Sequence, residues 1–248
     1  MRNAASLLAL LTAVVPALTA PAVSEAQANS TCNQFGTVQA GPYTVNPDKW
    51  GEATGSGMQC AQIDHLNGDE LAWSTTWSWA NNPDNVKSYA NAISSKTPCK
   101  ELKNYKNIPT TWDWHYSGNP NRADVSYDTF LGSSCNSAHE IEVMVWLGTY
   151  GGLPPIGAPN PISTPTIGNT HFKLYKGYSS DAGTTTYSFV SEHSVNKYKG
   201  DLMAFFNHLV YNQGVSAGLF LQEVHAGTEA VTGQGVKFTT IGYTISSN

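Results

Sequence analysis

Ala138-His-Glu-Ile-Glu-Val-Met-Val-Trp-Leu147 is the stretch whose pattern decides the fold class. In an extended chain successive side chains point to opposite faces, so Ile141, Val143, Val145 and Leu147 share one side. Glu140, Glu142, Met144 and Trp146 share the other. One face reads as core and the other as a carboxylate beside aromatic surface, which is the pattern of a strand, not of a helix. A second stretch, Leu219-Phe-Leu-Gln-Glu-Val-His-Ala-Gly-Thr-Glu-Ala-Val-Thr-Gly233, repeats the arrangement. There Phe220, Val224 and Ala226 fall opposite Leu221, Glu223, His225 and Glu229, and Gly227 allows close approach just before the last carboxylate.

Outward from these two stretches, β-branched and aromatic runs recur between turn signals over 70–79, 110–116, 123–130, 140–147, 170–178, 184–191, 218–227 and 235–245. That density of short strands predicts an all-β sandwich. One segment departs from it. Leu202, Phe205, Phe206, Leu209 and Val210 recur at helical spacing, with Asp201 in the first turn and Gly214 beyond the last, which predicts a single helix packed outside one sheet.

Residues 1–28 carry an early Arg2, an apolar run from Ala4 to Leu18 and the small-residue exit Ala26-Gln-Ala28, the layout of a secretory signal peptide. The remaining 29–248 fit one domain, with no internal repeat and no Ser/Thr/Pro-rich linker to a second module. Charged residues are 12% of the chain, so neutral hydrogen bonding and ring stacking outweigh ion pairing. A net charge of −5 without a basic run excludes nucleic acid and anionic membrane as partners. A secreted, extracellular monomer acting on neutral polysaccharide fits this surface. The cysteines, Cys32, Cys60, Cys99 and Cys135, lack the close spacing of a metal site and form an even set in an exported chain, which predicts disulfides in one of three connectivities. No metal or other cofactor is expected. Asn29-Ser-Thr31 is an N-glycosylation sequon at the predicted new N-terminus.

Other chemistries fail on their motifs. His139-Glu140 has no histidine three residues on, no Gly-x-Ser-x-Gly elbow occurs, and Gly55-Ser-Gly57 lacks the third glycine of a dinucleotide loop. A lone glutamate on a strand more often faces water than substrate. Two of them on one aromatic-lined cleft are what glycoside hydrolysis requires.

Glu142-Val-Met-Val-Trp-Leu-Gly148 and Gly227-Thr-Glu229, followed by Thr232-Gly233, resemble the two active-site signatures of glycoside hydrolase family 12, secreted retaining β-glucanases and xyloglucanases. Further similar segments follow in the family's order, among them Trp50-Gly51, Ser56-Gly-Met-Gln-Cys60, Ala123-Asp-Val-Ser-Tyr-Asp128 and Pro155-Ile-Gly157, within 32–245. The resemblance implies a two-sheet jelly roll with one helix and a concave substrate cleft. It implies Glu142 as nucleophile and Glu229 as acid/base. Asp128 is implied as the nucleophile's neighbour, a turn role being the alternative. It implies Trp50 as a cleft tryptophan and a Cys32–Cys60 bridge, which leaves Cys99 with Cys135. Met144 and Trp146 join the binding surface by sharing Glu142's face, and the Pro-rich segment 151–161 borders the cleft. Trp77 and Trp79 read equally as cleft or core. Glu140 and Glu223 belong at the cleft edge. Three departures stand out at the binding surface: Asp48 where asparagine is common, His225 where glutamine is usual, and Ala230-Val231 in place of Pro-Phe. The expected activity is endo-β-1,4-glucanase on cellulose-type or mixed-linkage glucan. A xyloglucan-specific enzyme and a non-catalytic glucan-binding jelly roll are the alternatives.

Overall fold

The computed structural model describes residues 29–180 and 182–248; the expected signal peptide lies outside the described residues. In chain order the strands are β1 (Ser30–Thr31), β2 (Val38–Ala40), β3 (Tyr43–Asn46), β4 (Ser56–Asn67), β5 (Glu70–Ala80), β6 (Ser88–Ser94), β7 (Lys100–Glu101), β8 (Pro109–Gly132), β9 (Ile141–Tyr150), β10 (Thr166–Ile167), β11 (Thr170–Ser179), β12 (Thr184–Ser191) and β13 (Lys197–Asp201). The helix α1 (Met203–Gln213) and the long strand β14 (Phe220–Ile245) complete the chain.

The two longest strands organise everything else. The first part of β8 and the last part of β14 pair with each other, with β5 beyond β14 and β13 beyond β8, and form one layer. Past 120 and before 233 the same strands pair again and are flanked by β6 and β9, forming the other layer. Sequence reading breaks each strand in two, at 117–122 and at 228–234. The structure keeps both continuous: register shifts cluster between Ala230 and Lys237 of β14, and such bulges bend a strand without ending it. Gly118, at φ +83°, sits at this bend with the Gly235 carbonyl where a side chain would begin.

The layers close on a core in which Trp112 meets Tyr127 with ring centroids 4.9 Å apart, two residues of one strand facing across the sandwich. Val143, Val145 and Leu147 point into this core, as the alternation predicts. Leu221 does as well, although strict alternation places it with Glu223. A register shift between Leu221 and Glu223 adds a residue and flips the phase, so Leu221, Val224 and Ala226 all face inward while Phe220 does not. The helix packs against β11 and β12, with Phe205 edge-on to Phe172 and Phe189. Asp201 accepts from the backbone N–H groups of Ile108 and Met203, and Gly214 ends the helix in the left-handed region.

Cys32–Cys60 ties the end of β1 to β4, and Cys99–Cys135 ties the segment before β7 to the turn after β8. Trp77 and Trp79 are buried with Ala123, Ala230 and Val236, which settles them as core.

Candidate active site

In the layer formed by β6, β14, β8 and β9, the face turned away from the core carries the expected residues. On β8, Asp124, Ser126 and Asp128 alternate outward from the core residues Val125 and Tyr127. On β14, Gly227 pairs with Ser126 and Ala230 with Ala123 in unbroken register, which sets Glu229 directly across from Asp124. His225 pairs with Asp128 in the same ladder. On β9, Glu142 lies opposite Phe130 of β8 on one side and Thr186 of β12 on the other. Four carboxyl groups, from Asp124, Asp128, Glu142 and Glu229, therefore gather on three adjacent strands.

Gly227 has a local reason. A Cβ there would lie 2.3 Å from the Ala90 carbonyl, so the glycine serves the close approach of β6 to β14.

Burial governs the electrostatics. It raises all four carboxyls above the ordinary range, because a charge out of water is costly. The groups differ in what offsets it. Glu142 Oε2 accepts a hydrogen bond from Thr186 Oγ1 at 2.6 Å, which favours its charged form, and it is raised the least conspicuously. Asp128 is pushed well above the usual range, first by burial and then by the nearby Glu142 and Glu229 charges, and one of its oxygens, Oδ1, lacks a donor. Glu229 is also well above, through burial, then Asp124, then Glu142. Of the four, Glu142 is the one whose charged form a hydroxyl donor favours.

Around this centre Trp50 is half exposed, free to offer a ring face. Met144 and Trp146 are 5% and 2% exposed, covered by Leu153 and Val231, with Trp146 Nε1 against the Met144 sulfur at 3.4 Å. They point to the expected side but offer no open platform. The segment after β9 supplies Leu153 to that cluster, and its Ile156 packs at Gly177 of β11. Asp48, at φ +36°, is half-buried; burial raises its carboxyl and His225 lowers it. His225 Nε2 bonds Glu223 Oε2 at 2.8 Å, and its ring stacks on Tyr89 and meets Phe130 edge-on. Glu140 is exposed and accepts from the Ser133 backbone, a turn contact.

Two residues of the site carry no signature in the alternation of the two signature stretches. Asp124 shares the parity of Asp128 four positions on, a signal available in the sequence. Thr186 reaches Glu142 only through the parallel pairing of β9 with β12, which no local pattern announces.

A carboxyl whose charged form a hydroxyl favours beside one whose proton burial and carboxyl neighbours favour, on a sheet face edged by an exposed tryptophan, is the equipment of a glycoside hydrolase built on a β-sandwich. Residues 41–248 match the sequence model of glycosyl hydrolase family 12, and the chain belongs to that family. It is 44% identical over 228 residues to xyloglucan-specific endo-beta-1,4-glucanase A of Aspergillus aculeatus, covering 92% of this chain and 94% of that protein. It is 40% identical over 220 residues to the inactive glycoside hydrolase XLP1 of Phytophthora nicotianae, covering 88% and 91%. The crystal structure of Trichoderma harzianum endoglucanase 3, a family 12 protein, superposes with a TM-score of 0.84 at 33% identity over 91% of this chain and all of that one.

Proposed function

We propose that the protein is a secreted, monomeric, cofactor-free endo-β-1,4-glucanase that cleaves internal bonds with retention of configuration. The observation that carries this reading is the asymmetry of the two glutamates: Glu142 has a hydroxyl donor that favours its charge, and Glu229 has carboxyl neighbours that favour its proton. In the first step a Glu142 oxygen bonds to the anomeric carbon while the bond to the leaving oxygen breaks and Glu229 gives that oxygen its proton. In the second, Glu229 takes a proton from water, the water oxygen attacks the same carbon, and Glu142 leaves as carboxylate. A neutral Asp128 beside Glu142 acts as a hydrogen-bond donor to it. Export rests on the leader-like 1–28, two disulfides, and the absence among the described residues of a helix able to cross a membrane.

The substrate is a β-1,4-glucan chain. Trp146-Leu-Gly148 beside the proposed nucleophile looks more like the sequence of the family's general β-glucanases, which ranks unbranched or mixed-linkage glucan first. Xyloglucan is the second reading, and it is favoured by relatives at 44% and 40% identity that are named xyloglucan-specific endo-beta-1,4-glucanases, whereas XLP1, also at 40%, is named inactive. Reducing-sugar release from carboxymethylcellulose, mixed-linkage glucan and xyloglucan tests both, with Glu142→Ala as control. Release from any of the three by the wild type, and none by the variant, is expected. Release from none of them by the wild type would turn the reading toward a glucan-binding protein without activity.

A further inference from the structure

Asp124 has no exposed surface and lies directly across the ladder from Glu229. Its Oδ1 accepts the Glu229 backbone N–H at 3.0 Å and the Ser126 hydroxyl at 3.2 Å. Its backbone carbonyl accepts the Thr228 hydroxyl, which also bonds the Tyr116 hydroxyl. The side chain is thereby held in one orientation. Oδ2 is left buried without a hydroxyl or N–H to accept from, and the unbroken register sets the Glu229 side chain as its cross-strand neighbour on the same face. Two carboxylates offer no donor, so a hydrogen bond between these neighbours needs at least one proton.

One proton is too few for catalysis. If Asp124 is ionised, the Glu229 proton is drawn to Asp124 and away from the leaving oxygen. If Asp124 is itself protonated, the direction reverses: Asp124 donates to Glu229, whose own proton is free to point into the cleft. We propose that Asp124 is a positioning residue that works as a neutral acid, its Oδ2–H donating to Glu229 so that the Glu229 proton is presented to the leaving oxygen. The proton on Asp124 stays there through both steps, and the hydrogen bond it makes stabilises the Glu229 carboxylate once that group has given its proton away. This inference rests on the proposed role of Glu229 and adds what sets the alkaline limit of activity.

The surroundings agree. Burial pushes Asp124 up to about 7, Glu229 and Ser126 oppose the rise by hydrogen bonding, and Asp128 adds to it from the same strand. From the neighbouring elements Tyr89 of β6 and Tyr116 of the first part of β8 face it, both held neutral by burial. In the proposed active form the Asp124–Glu229 pair carries two protons and the charge sits on Glu142, whose ionised form the Thr186 hydroxyl favours. Activity is lost on the alkaline side when Asp124 loses its proton, before Glu229 loses its own.

Asp124→Asn tests this, because the amide keeps the shape and the Oδ1 acceptor and supplies an N–H to Glu229 at every pH. The alkaline limb of kcat/KM on the best glucan of the panel is expected to move up by at least about half a pH unit. A limb that stays in place or moves down overturns the proposal. A purely structural role would lower activity evenly across pH and leave the limb where it was. Carboxyl carbon NMR of the wild type gives a reading independent of the variant's folding: Asp124 should ionise with the same midpoint as the alkaline limb, and ionisation of Asp124 throughout the active range overturns the proposal. A wild type that cleaves glucan with an unmoved variant limb defeats only the role of Asp124. A wild type that cleaves none defeats the functional reading, and this inference with it.

Discussion

Thr186→Val removes the threonine hydroxyl that donates to the proposed nucleophile and leaves the volume of a buried β-strand side chain nearly unchanged. The Thr186 Oγ1 to Glu142 Oε2 bond is 2.6 Å long and Thr186 has no exposed surface, so water cannot replace the lost donor. A hydrogen bond to a charged group contributes about 1.5–3 kcal/mol, which corresponds to about a ten- to hundredfold shift of the ionisation equilibrium toward the protonated form. The acidic limb of kcat/KM should therefore move up by about one to two pH units, with little change on the alkaline side. Stability follows the same sign. Glu142 is raised in the folded protein, so the folded state binds its proton more tightly than the unfolded one does. Stability is greatest below the unfolded pKa and falls as pH rises toward the folded one. The variant widens that gap and should lose more stability than the wild type between pH 4 and neutrality. pH–rate profiles and urea unfolding at several pH values measure both effects. An acidic limb that stays put, or moves to lower pH, refutes the claim that this hydroxyl holds the charge on Glu142.

Glu229→Ala should lose hydrolysis of glucan yet still form the glycosyl-enzyme from an activated aryl glycoside, and added azide should complete turnover as the β-glycosyl azide; an α-azide would swap the two roles. Replacing Cys99 and Cys135 by serine opens a loop spanning 36 residues and should lower unfolding free energy by about 3–4 kcal/mol in urea titrations, an unchanged midpoint counting against it. Trp50→Ala should raise KM by roughly two- to tenfold through loss of a stacking face, with kcat nearly unchanged, whereas a loss confined to kcat would place the ring elsewhere in the mechanism.

What could be read from the chain depended on how each residue is buried. β9 was legible because one face is core and the other carries Glu142, so the alternation is clean. β6, Ser-Tyr-Ala-Asn-Ala-Ile-Ser, is buried on both faces with small and polar residues, and nothing in it alternates. β4 fails for the opposite reason, carrying several exposed polar residues on an outer strand. The turn-like residues Gly118, Asn119, Pro120 and Asn121 look like a break in the chain and are a bend in β8, because the partner strand bulges alongside them. Within the site, alternation groups Glu229 with His225, and both lie on the face away from the core, whereas Asp128 is signalled by its motif and not by parity. Leu221 was misplaced because a single bulge reverses parity for everything before it. The covering of Trp146 depends on Leu153 and Val231, which come from other elements, so the sequence gives its direction but not its exposure.

The central claim is that Glu142 forms a covalent bond to the sugar. A 2-deoxy-2-fluoro β-cello-oligosaccharide bearing a good leaving group slows both steps, and the leaving group restores the first, so the intermediate should accumulate. Intact mass followed by peptide mapping reads where it sits. The account predicts one glycosyl adduct per chain, carried by Glu142 in the Ile141–Tyr150 strand, with activity lost in proportion to labelling. An adduct on Glu229 or any other residue, or no adduct from an enzyme that goes on to release the α-anomer, would contradict it.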